Sequence, residues 1–238
     1  ILDKALNKDG IMGYSTHIGT LSEKSVHAII KHYLEPNTAY HEIKINNFYA
    51  DILNDHGIIE IQTSNFDKLR KKLELSLNTH KITIVYPIAH KKKIYWIDNN
   101  TGEISLPRKS TKTGRPQDIF RELYKIKNYL DHPNLNLHII LMDMREYRLL
   151  DGWSKDRKKG ATKCDRIPYK LIEEIKINSS KDYFKLIPNE LEDPFTVKDY
   201  KALTKISQRD ASVAINILNH IGLIKRIGKK GRAYLYSR

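Results

Sequence analysis

The segment from Asp51 to Gln62, Asp-Ile-Leu-Asn-Asp-His-Gly-Ile-Ile-Glu-Ile-Gln, constrains the fold more than any other part of the sequence. Its two apolar runs predict β-strands, and the turn residues 54–57 between them predict a tight hairpin. Because strand side chains alternate between faces, Glu60 and Gln62 share one face, and the isoleucines beside Glu60 face the other way. The hairpin brings Asp51 close to Glu60. Two carboxylates beside a polar side chain can hold a hard divalent cation.

The composition indicates a folded protein that binds a polyanion. The chain has 238 residues, 40% of them hydrophobic, and a net charge of +14. A charge of this size favours a nucleic-acid partner, although solvated basic surfaces also exist. The one cysteine, Cys164, excludes an intrachain disulfide and fits a reducing cytoplasm, where we expect the protein to act. There is no apolar run of about 18 residues that predicts a membrane span.

The order of predicted elements up to residue 145 indicates an α/β domain with a mixed sheet flanked by helices. Thr20-Leu-Ser-Glu23 has the form of a capping box that opens a helix ending before Pro36. Further helices are predicted from residue 65 and over 117–130. Strands are predicted at 40–45, 48–53, 57–63, 82–86, 93–97, 103–106 and 137–142. Two basic loops, 107–116 and 154–166, each carry a net charge of +4.

The C-terminal 44 residues have a different pattern. Two capped helices are predicted at about 196–203 and 207–220, followed by strands at 223–227 and 233–236 around a Gly-Lys-Lys-Gly turn. This order resembles a winged helix-turn-helix domain, and residues 195–238 hold ten basic residues against two acidic ones.

The winged-helix resemblance implies a recognition helix at about 207–220 and a wing at 225–236. The start of the recognition helix would read the major groove, and the wing would meet phosphates. Winged helices also mediate contacts between proteins, which is the alternative role. The predicted DNA contacts are Gln208, Arg209 and Ser212 on the helix and Lys229, Lys230 and Arg232 on the wing.

Glu23 on a first helix, Asp51 on a strand and Glu60-x-Gln62 on the next strand resemble the PD-(D/E)XK nuclease superfamily. The glutamate on an early helix is similar to the one found in the restriction-endonuclease-like and Holliday-junction-resolvase-like branches of this superfamily. The resemblance covers about residues 15–145 and implies that Asp51 and Glu60 hold Mg²⁺ or Mn²⁺, with the carbonyl of Ile61 as a further ligand. Glu23 would join the metal shell directly or through water. The ion would polarise the scissile phosphate and activate a water molecule.

The sequence departs from the superfamily pattern where a lysine is expected, because that position is Gln62. Glutamine can orient a water molecule or contact a phosphate, but it supplies no positive charge. A lysine from the following helix, such as Lys68, could fill the electrostatic role, and Ser64 is a candidate phosphate contact. The alternative interpretation is that Asp51 flanks a turn, Glu60 lies on a solvated sheet face and Glu23 only caps a helix.

These patterns together predict two domains, a nuclease-like domain over residues 1–180 and a winged helix over 185–238. The predicted function is metal-dependent endonucleolytic cleavage of double-stranded DNA, in restriction or defence, by a chain that can act as a homodimer. One alternative is a DNA-binding regulator whose nuclease-like domain is inactive. The other is a structure-selective nuclease that cuts junctions or RNA.

Overall fold

The computed structural model describes residues 24–45, 47–152 and 160–238. Seven strands form one mixed sheet in the order β1-β2-β3-β4-β6-β7, with β5 pairing with β4. β2 and β3 are antiparallel, whereas β3 and β4 are parallel. The sheet strands are β1 His41–Ile45, β2 Phe48–Asn54, β3 Gly57–Ile61, β4 Ile82–Asp98, β5 Arg108–Lys109, β6 Leu135–Leu150 and β7 Thr162–Ile177.

Helices precede, connect and follow the strands, so the structure is α/β with a mixed sheet flanked by helices. The α-helices are α1 Lys24–Leu34, α2 Arg70–Ser76, α3 Phe120–Leu123, α4 Val197–Thr204 and α5 Gln208–His220. A two-stranded sheet follows α5, made of β8 Lys225–Lys230 and β9 Ala233–Ser237. No helix in the described part of the chain combines the length and apolar character needed to cross a bilayer.

The described residues group into two compact units. The described residues of the first unit are 24–41, 89–114, 140–152 and 160–173, and those of the second are 42–45, 47–88, 115–139 and 174–238. In the second unit the core contains fully buried side chains from the strands and from the segments that cover them, among them Ile52, Ile58, Phe66, Ile84 and Phe120. The predicted domain boundary between residues 180 and 185 stays a prediction.

Several predicted element boundaries were wrong. The strands predicted at 82–86 and 93–97 are one strand, β4, which continues through the basic run at 90–93. Lysines fit there because a long side chain can extend to a charged partner, as Lys92 does towards Glu146. The predicted strand 103–106 is reduced to a bridge between Ile104 and Ile97.

The region from 116 to 186 also differs from the sequence prediction. The helix predicted at 117–130 consists of α3 between two 3₁₀ segments, 116–119 and 124–129, and Ile126 has non-helical angles. Residues 154–159 of the predicted basic loop 154–166 lie outside the described residues, and residues 162–166 are extended as the start of β7. Charged side chains and Pro168 interrupt the apolar pattern of this strand, so apolar runs in the sequence do not predict it.

Candidate functional site

The hairpin of β2 and β3 sets the two candidate metal ligands side by side. Its paired residues run from Asn54 opposite Gly57 to Ile52 opposite Ile59, and one further step of this register sets Asp51 opposite Glu60. Directly opposed residues of an antiparallel pair have Cβ atoms about 4.5–5.5 Å apart and share a face. The predicted turn is confirmed, because residues 55 and 56 form its two-residue loop. The hairpin register therefore puts Asp51 and Glu60 on the same face of neighbouring strands.

Both carboxylates have partners within the second unit. Asp51 accepts a hydrogen bond at Oδ2 from the backbone N–H of Ile61, at 2.7 Å. Glu60 is buried, with 5% of its surface exposed, and its Oε1 accepts from Lys72 Nζ at 2.6 Å. The alternative interpretation of Glu60 as a solvated surface residue is therefore wrong. A buried carboxylate needs such a cation, since an unpaired charge in an apolar interior is costly.

Lys72 is the site residue that sequence reasoning missed. It lies on α2 with a largely buried side chain, and its ammonium also donates to the carbonyl of Tyr49 at 2.8 Å. The same ammonium lies 4.8 Å from the centre of the Phe48 ring. Helical spacing could have identified it, because the buried Leu69 precedes it by three residues and the buried Ser76 follows by four.

Buried anchors at the start of its segment hold Lys72 in place. A 3₁₀ turn over Phe66–Leu69 leads directly into α2, and both Phe66 and Leu73 are buried. The backbone N–H of Phe66 donates to Glu122 Oε2 at 3.0 Å. The ring of Phe66 packs edge-on against Tyr86 at 5.5 Å. These contacts fix the direction from which the Lys72 ammonium reaches Glu60.

The other residues predicted for this site have different surroundings from those of Asp51 and Glu60. Gln62 is half-buried, its backbone N–H donates to Val85 on β4, and its side-chain amide donates to the carbonyl of Ser64 at 2.6 Å. Ser64 and Lys68 are exposed, and the lysine that pairs with Glu60 is Lys72 rather than Lys68. Glu23, the predicted third carboxylate, lies outside the described residues.

The chemistry of the donors fits a hard divalent cation, which prefers carboxylate and carbonyl oxygens. The paired donors in the described residues are the Asp51 and Glu60 carboxylates, with the Ile61 carbonyl as the predicted backbone ligand. The described part of the chain contains no group of three or more His, Cys, Asp or Glu residues placed to hold a metal ion. From the part of the chain that the structure describes, a site here would use these two carboxylates, with other oxygens completing the coordination.

A second candidate site lies on the C-terminal helices and hairpin. Thr196 caps α4 through a reciprocal capping box with Asp199, and Ser207 caps α5. Between the helices Lys205 adopts a left-handed conformation, which ends α4 sharply. The backbone of Phe195 pairs with Tyr236 of β9. The local order is therefore helix, turn, helix and antiparallel hairpin, with the hairpin tied to the chain that enters α4.

All six side chains predicted to contact DNA are exposed. On α5 these are Gln208, Arg209 and Ser212, whose hydroxyl donates to the carbonyl of Gln208 at 3.0 Å. On and beside the hairpin they are Lys229, Lys230 and Arg232. The opposite side of α5 is buried and includes Ala211, Ala214, Ile217 and Leu218. This division leaves a polar face of α5 available to a ligand.

The start of α5 is attached to the rest of the second unit. The Asp210 carboxylate is buried, and the Arg121 guanidinium of α3 donates to both of its oxygens. Hydrogen bonding to Arg121 holds the pKa of Asp210 below its usual range. Tyr200 of α4 is also buried and donates to the carbonyl of Leu186 at 3.0 Å. The helix pair therefore has a fixed orientation within this unit.

Comparison with known proteins gives the relationships of the chain. An "Uncharacterized protein" of Treponema pallidum (strain Nichols) is 28% identical over 228 residues, which cover 93% of this chain and 87% of that protein. No solved structure matches. The family model described as "Domain of unknown function (DUF8091)" matches residues 24–178. Since this match covers more than half of the sequence, the chain belongs to the DUF8091 family.

Proposed function

We propose that this chain is a metal-dependent DNA endonuclease of the PD-(D/E)XK type, and that Asp51 and Glu60 bind its divalent cation. The observation that carries the proposal is the cross-strand placement of Asp51 beside Glu60, with the Lys72 ammonium 2.6 Å from the Glu60 carboxylate. Carboxylates can hold the cation of metal-assisted phosphodiester hydrolysis, and a lysine can stabilise the charge that develops on the phosphate.

The order of elements supports the same proposal. Helix α1, the three strands β1–β3, helix α2 and strand β4 follow one another in the order that the hydrophobic pattern of the sequence predicted. The main departure from the superfamily pattern was the missing lysine at Gln62. Lys72, on the following helix, supplies a positive charge beside the Glu60 carboxylate. The site therefore has a cation even though Gln62 is uncharged.

The protein groups would divide the work of hydrolysis among them. A bound Mg²⁺ or Mn²⁺ supplies Lewis acidity at the phosphate and lowers the pKa of an attacking water molecule. Asp51 is kept in position by the N–H of Ile61. The Lys72 ammonium stabilises the negative charge that develops on the phosphate. The Gln62 amide, which carries both a donor and an acceptor, orients the water molecule or a phosphate oxygen.

We further propose that residues 195–238 form a winged helix that binds duplex DNA. The exposed polar start of α5 suits the major groove, and the exposed cations of the β8–β9 hairpin suit phosphates. The finding that α5 is anchored to α3 through Asp210 and Arg121 supports a winged helix held within the second unit. In a restriction or defence role, cutting both strands would require two sites and hence a homodimer.

A DNA-binding protein with an inactive nuclease-like domain is the second candidate. It is favoured by Gln62, and by the fact that Asp51 and Glu60 each already have a partner within the protein. A structure-selective nuclease acting on junctions or RNA is the third, and it differs from the main proposal only in substrate.

The test is cleavage of plasmid, linear duplex, branched DNA and RNA in the presence of Mn²⁺. Wild type, Asp51→Ala, Glu60→Ala and the control Glu74→Gln, an exposed acid on α2, are compared. We expect wild type and the control to nick plasmid and the two site variants to lose the activity. Salt-sensitive duplex binding without any cleavage would identify the inactive DNA-binding protein instead. Preferential cutting of branched DNA or RNA would identify the structure-selective nuclease.

A further inference from the structure

Three tyrosines lie together on the sheet within the first unit. Tyr95 of β4 and Tyr147 of β6 have stacked rings, with centres 5.1 Å apart and planes inclined by 18°. Tyr169 of β7 has two cations at its ring, Lys93 Nζ at 5.3 Å and the Arg145 guanidinium at 5.6 Å.

The five residues form one continuous surface, here called the tyrosine face. Lys93 precedes Tyr95 by two residues on β4, and Arg145 precedes Tyr147 by two on β6, so each cation shares a sheet face with the tyrosine that follows it. Both cations meet at Tyr169, which joins the third strand to the other two. All three rings are half-buried, and each therefore leaves part of its aromatic surface accessible.

The tyrosine face has an excess of positive charge. β5 pairs with β4 so that Lys109 lies directly opposite Lys93, and like charges in this position destabilise a sheet. In the described residues, no carboxylate lies within 4.0 Å of the charged nitrogens of Lys93, Lys109 or Arg145. The nearby Asp143 is engaged with His90 Nδ1 at 2.9 Å. An anionic ligand would remove the repulsion between the lysines.

We propose that the tyrosine face binds single-stranded nucleic acid. Unpaired bases present flat faces that stack on tyrosine rings, and the neighbouring phosphates are anions that match Lys93, Lys109 and Arg145. A duplex offers the same phosphates but keeps its bases stacked on each other. It would therefore contact the cations of this surface but not the tyrosine rings. The inference concerns the first unit and does not rest on cleavage by Asp51 and Glu60.

The experiment measures the affinity of the full chain for fluorescent 20-nucleotide single strands, in EDTA so that no metal-dependent cleavage occurs. Tyr169→Leu and Tyr95→Leu remove a ring, Tyr169→Phe keeps it, and an oligonucleotide without bases keeps only the phosphates. Tyr124→Leu is the matched control, because Tyr124 is exposed and has Lys127 over its ring at 5.6 Å but lies in the second unit. Circular dichroism verifies that each variant is folded.

We expect Tyr169→Leu and Tyr95→Leu each to weaken single-strand binding roughly tenfold, since a base stacked on an aromatic ring contributes that much or more. Tyr169→Phe and Tyr124→Leu should bind as wild type does, and the base-free strand should bind weakly and equally to all variants. The same measurements made with DNA and with RNA strands show which of the two nucleic acids is preferred. Removal of the three wing cations, Lys229, Lys230 and Arg232, should leave the effect of Tyr169→Leu unchanged.

Three results would overturn the inference. The first is wild-type protein that binds no single strand, and the second is a Tyr169→Leu variant that binds as tightly as Tyr169→Phe. The third is an equal loss of affinity for single strands, duplex and the base-free strand, which would indicate phosphate contacts alone.

Discussion

At the scale of single residues, the buried carboxylates of Glu60 and Glu146 are each matched to particular cations. Glu60 has Lys72, and Glu146, which is fully buried, has Lys92 at 3.0 Å, Arg166 at 2.9 Å and Arg148 at 2.8 Å. Removal of one partner of a buried pair leaves the other charge in a poor solvent, and this is more costly than removal of both. The two clusters therefore make separate predictions about stability.

Lys72→Met should destabilise the fold by about 3 kcal/mol, because it leaves the Glu60 carboxylate buried without its cation. Adding Glu60→Gln should recover most of that loss, because the uncompensated charge disappears. Urea unfolding of the two single variants and the double variant measures both effects. The control is Lys71→Met, an exposed lysine of the same helix, which should change stability little. If the double variant were as unstable as Lys72→Met, the pair would not be the reason for the loss.

Glu146 should make the protein sensitive to acid. Burial alone raises the pKa of Glu146, but the hydrogen bond from Arg148 and the charges of Lys92 and Arg166 outweigh it and lower the pKa to about 2. A carboxyl whose pKa falls on folding stabilises the protein above its unfolded value, here 4.5, and that contribution is lost as the pH falls towards 2.

Between pH 7 and pH 3, wild type should therefore lose about 2 kcal/mol of unfolding free energy through this one group. Glu146→Gln should be less stable at pH 7 but should lose about 2 kcal/mol less on acidification. Urea titrations at pH 7, 5 and 3 measure the difference, with the exposed Glu103→Gln as the control. An identical pH dependence of wild type and Glu146→Gln would contradict this account of the cluster.

At the scale of elements, short-range signals correctly predicted a hairpin turn and two helix caps. The Asn54–Gly57 turn, the capping box at Thr196 and the serine cap at Ser207 all occur where the sequence placed them. These signals act within four residues, so sequence alone determines them.

Features that depend on contacts between residues distant in sequence were not predicted. β7 was missed because Lys, Arg and Glu residues interrupt its apolar pattern, and its strand character depends on pairing with β6. Lys72 was missed because its contact with Glu60 depends on how α2 packs on the sheet. Asp51 and Glu60 were found because a single hairpin register relates them.

The hairpin that carries the candidate metal site requires a glycine at position 57. The φ of Gly57 is +103°, and an added Cβ would lie 2.3 Å from the carbonyl oxygen of Lys81. Gly102 also has a positive φ, of +73°, but open space around it. Gly57→Ala should therefore destabilise the protein by more than about 2 kcal/mol, and Gly102→Ala by about 1 kcal/mol.

Thermal unfolding of both glycine variants measures the difference. Gly57→Ala should also reduce plasmid nicking, because it displaces the strand that carries Glu60, whereas Gly102→Ala should nick normally. Equal stability of the two variants would mean that the contact with Lys81 is not important.

At the scale of the whole molecule, the charge is concentrated where DNA contacts are proposed. Residues 195–238 carry +8 of the total of +14. Each lysine or arginine that neutralises a phosphate adds about 0.9 to the slope of log affinity against log salt. The number of contacts can therefore be obtained from binding measured over a range of salt concentrations.

Alanine substitution of Lys229, Lys230 and Arg232 together should lower the salt slope of duplex binding by about 2 to 3. The control replaces three exposed lysines outside the C-terminal hairpin, Lys44, Lys71 and Lys181, and it removes the same charge. Fluorescence anisotropy from 50 to 300 mM salt measures both variants. Equal slopes for the two triple variants would show that total charge, rather than the hairpin, is responsible for binding.

The central claim is that Asp51 and Glu60 hold a divalent cation, and direct titration with Mn²⁺ tests it most directly. Electron paramagnetic resonance, without added DNA, counts the ions bound by wild type, Asp51→Asn, Glu60→Gln and the control Glu74→Gln. We predict a bound Mn²⁺ in wild type and in the control that both site variants lose. Equal Mn²⁺ binding by all four proteins, or none by wild type, would contradict the claim.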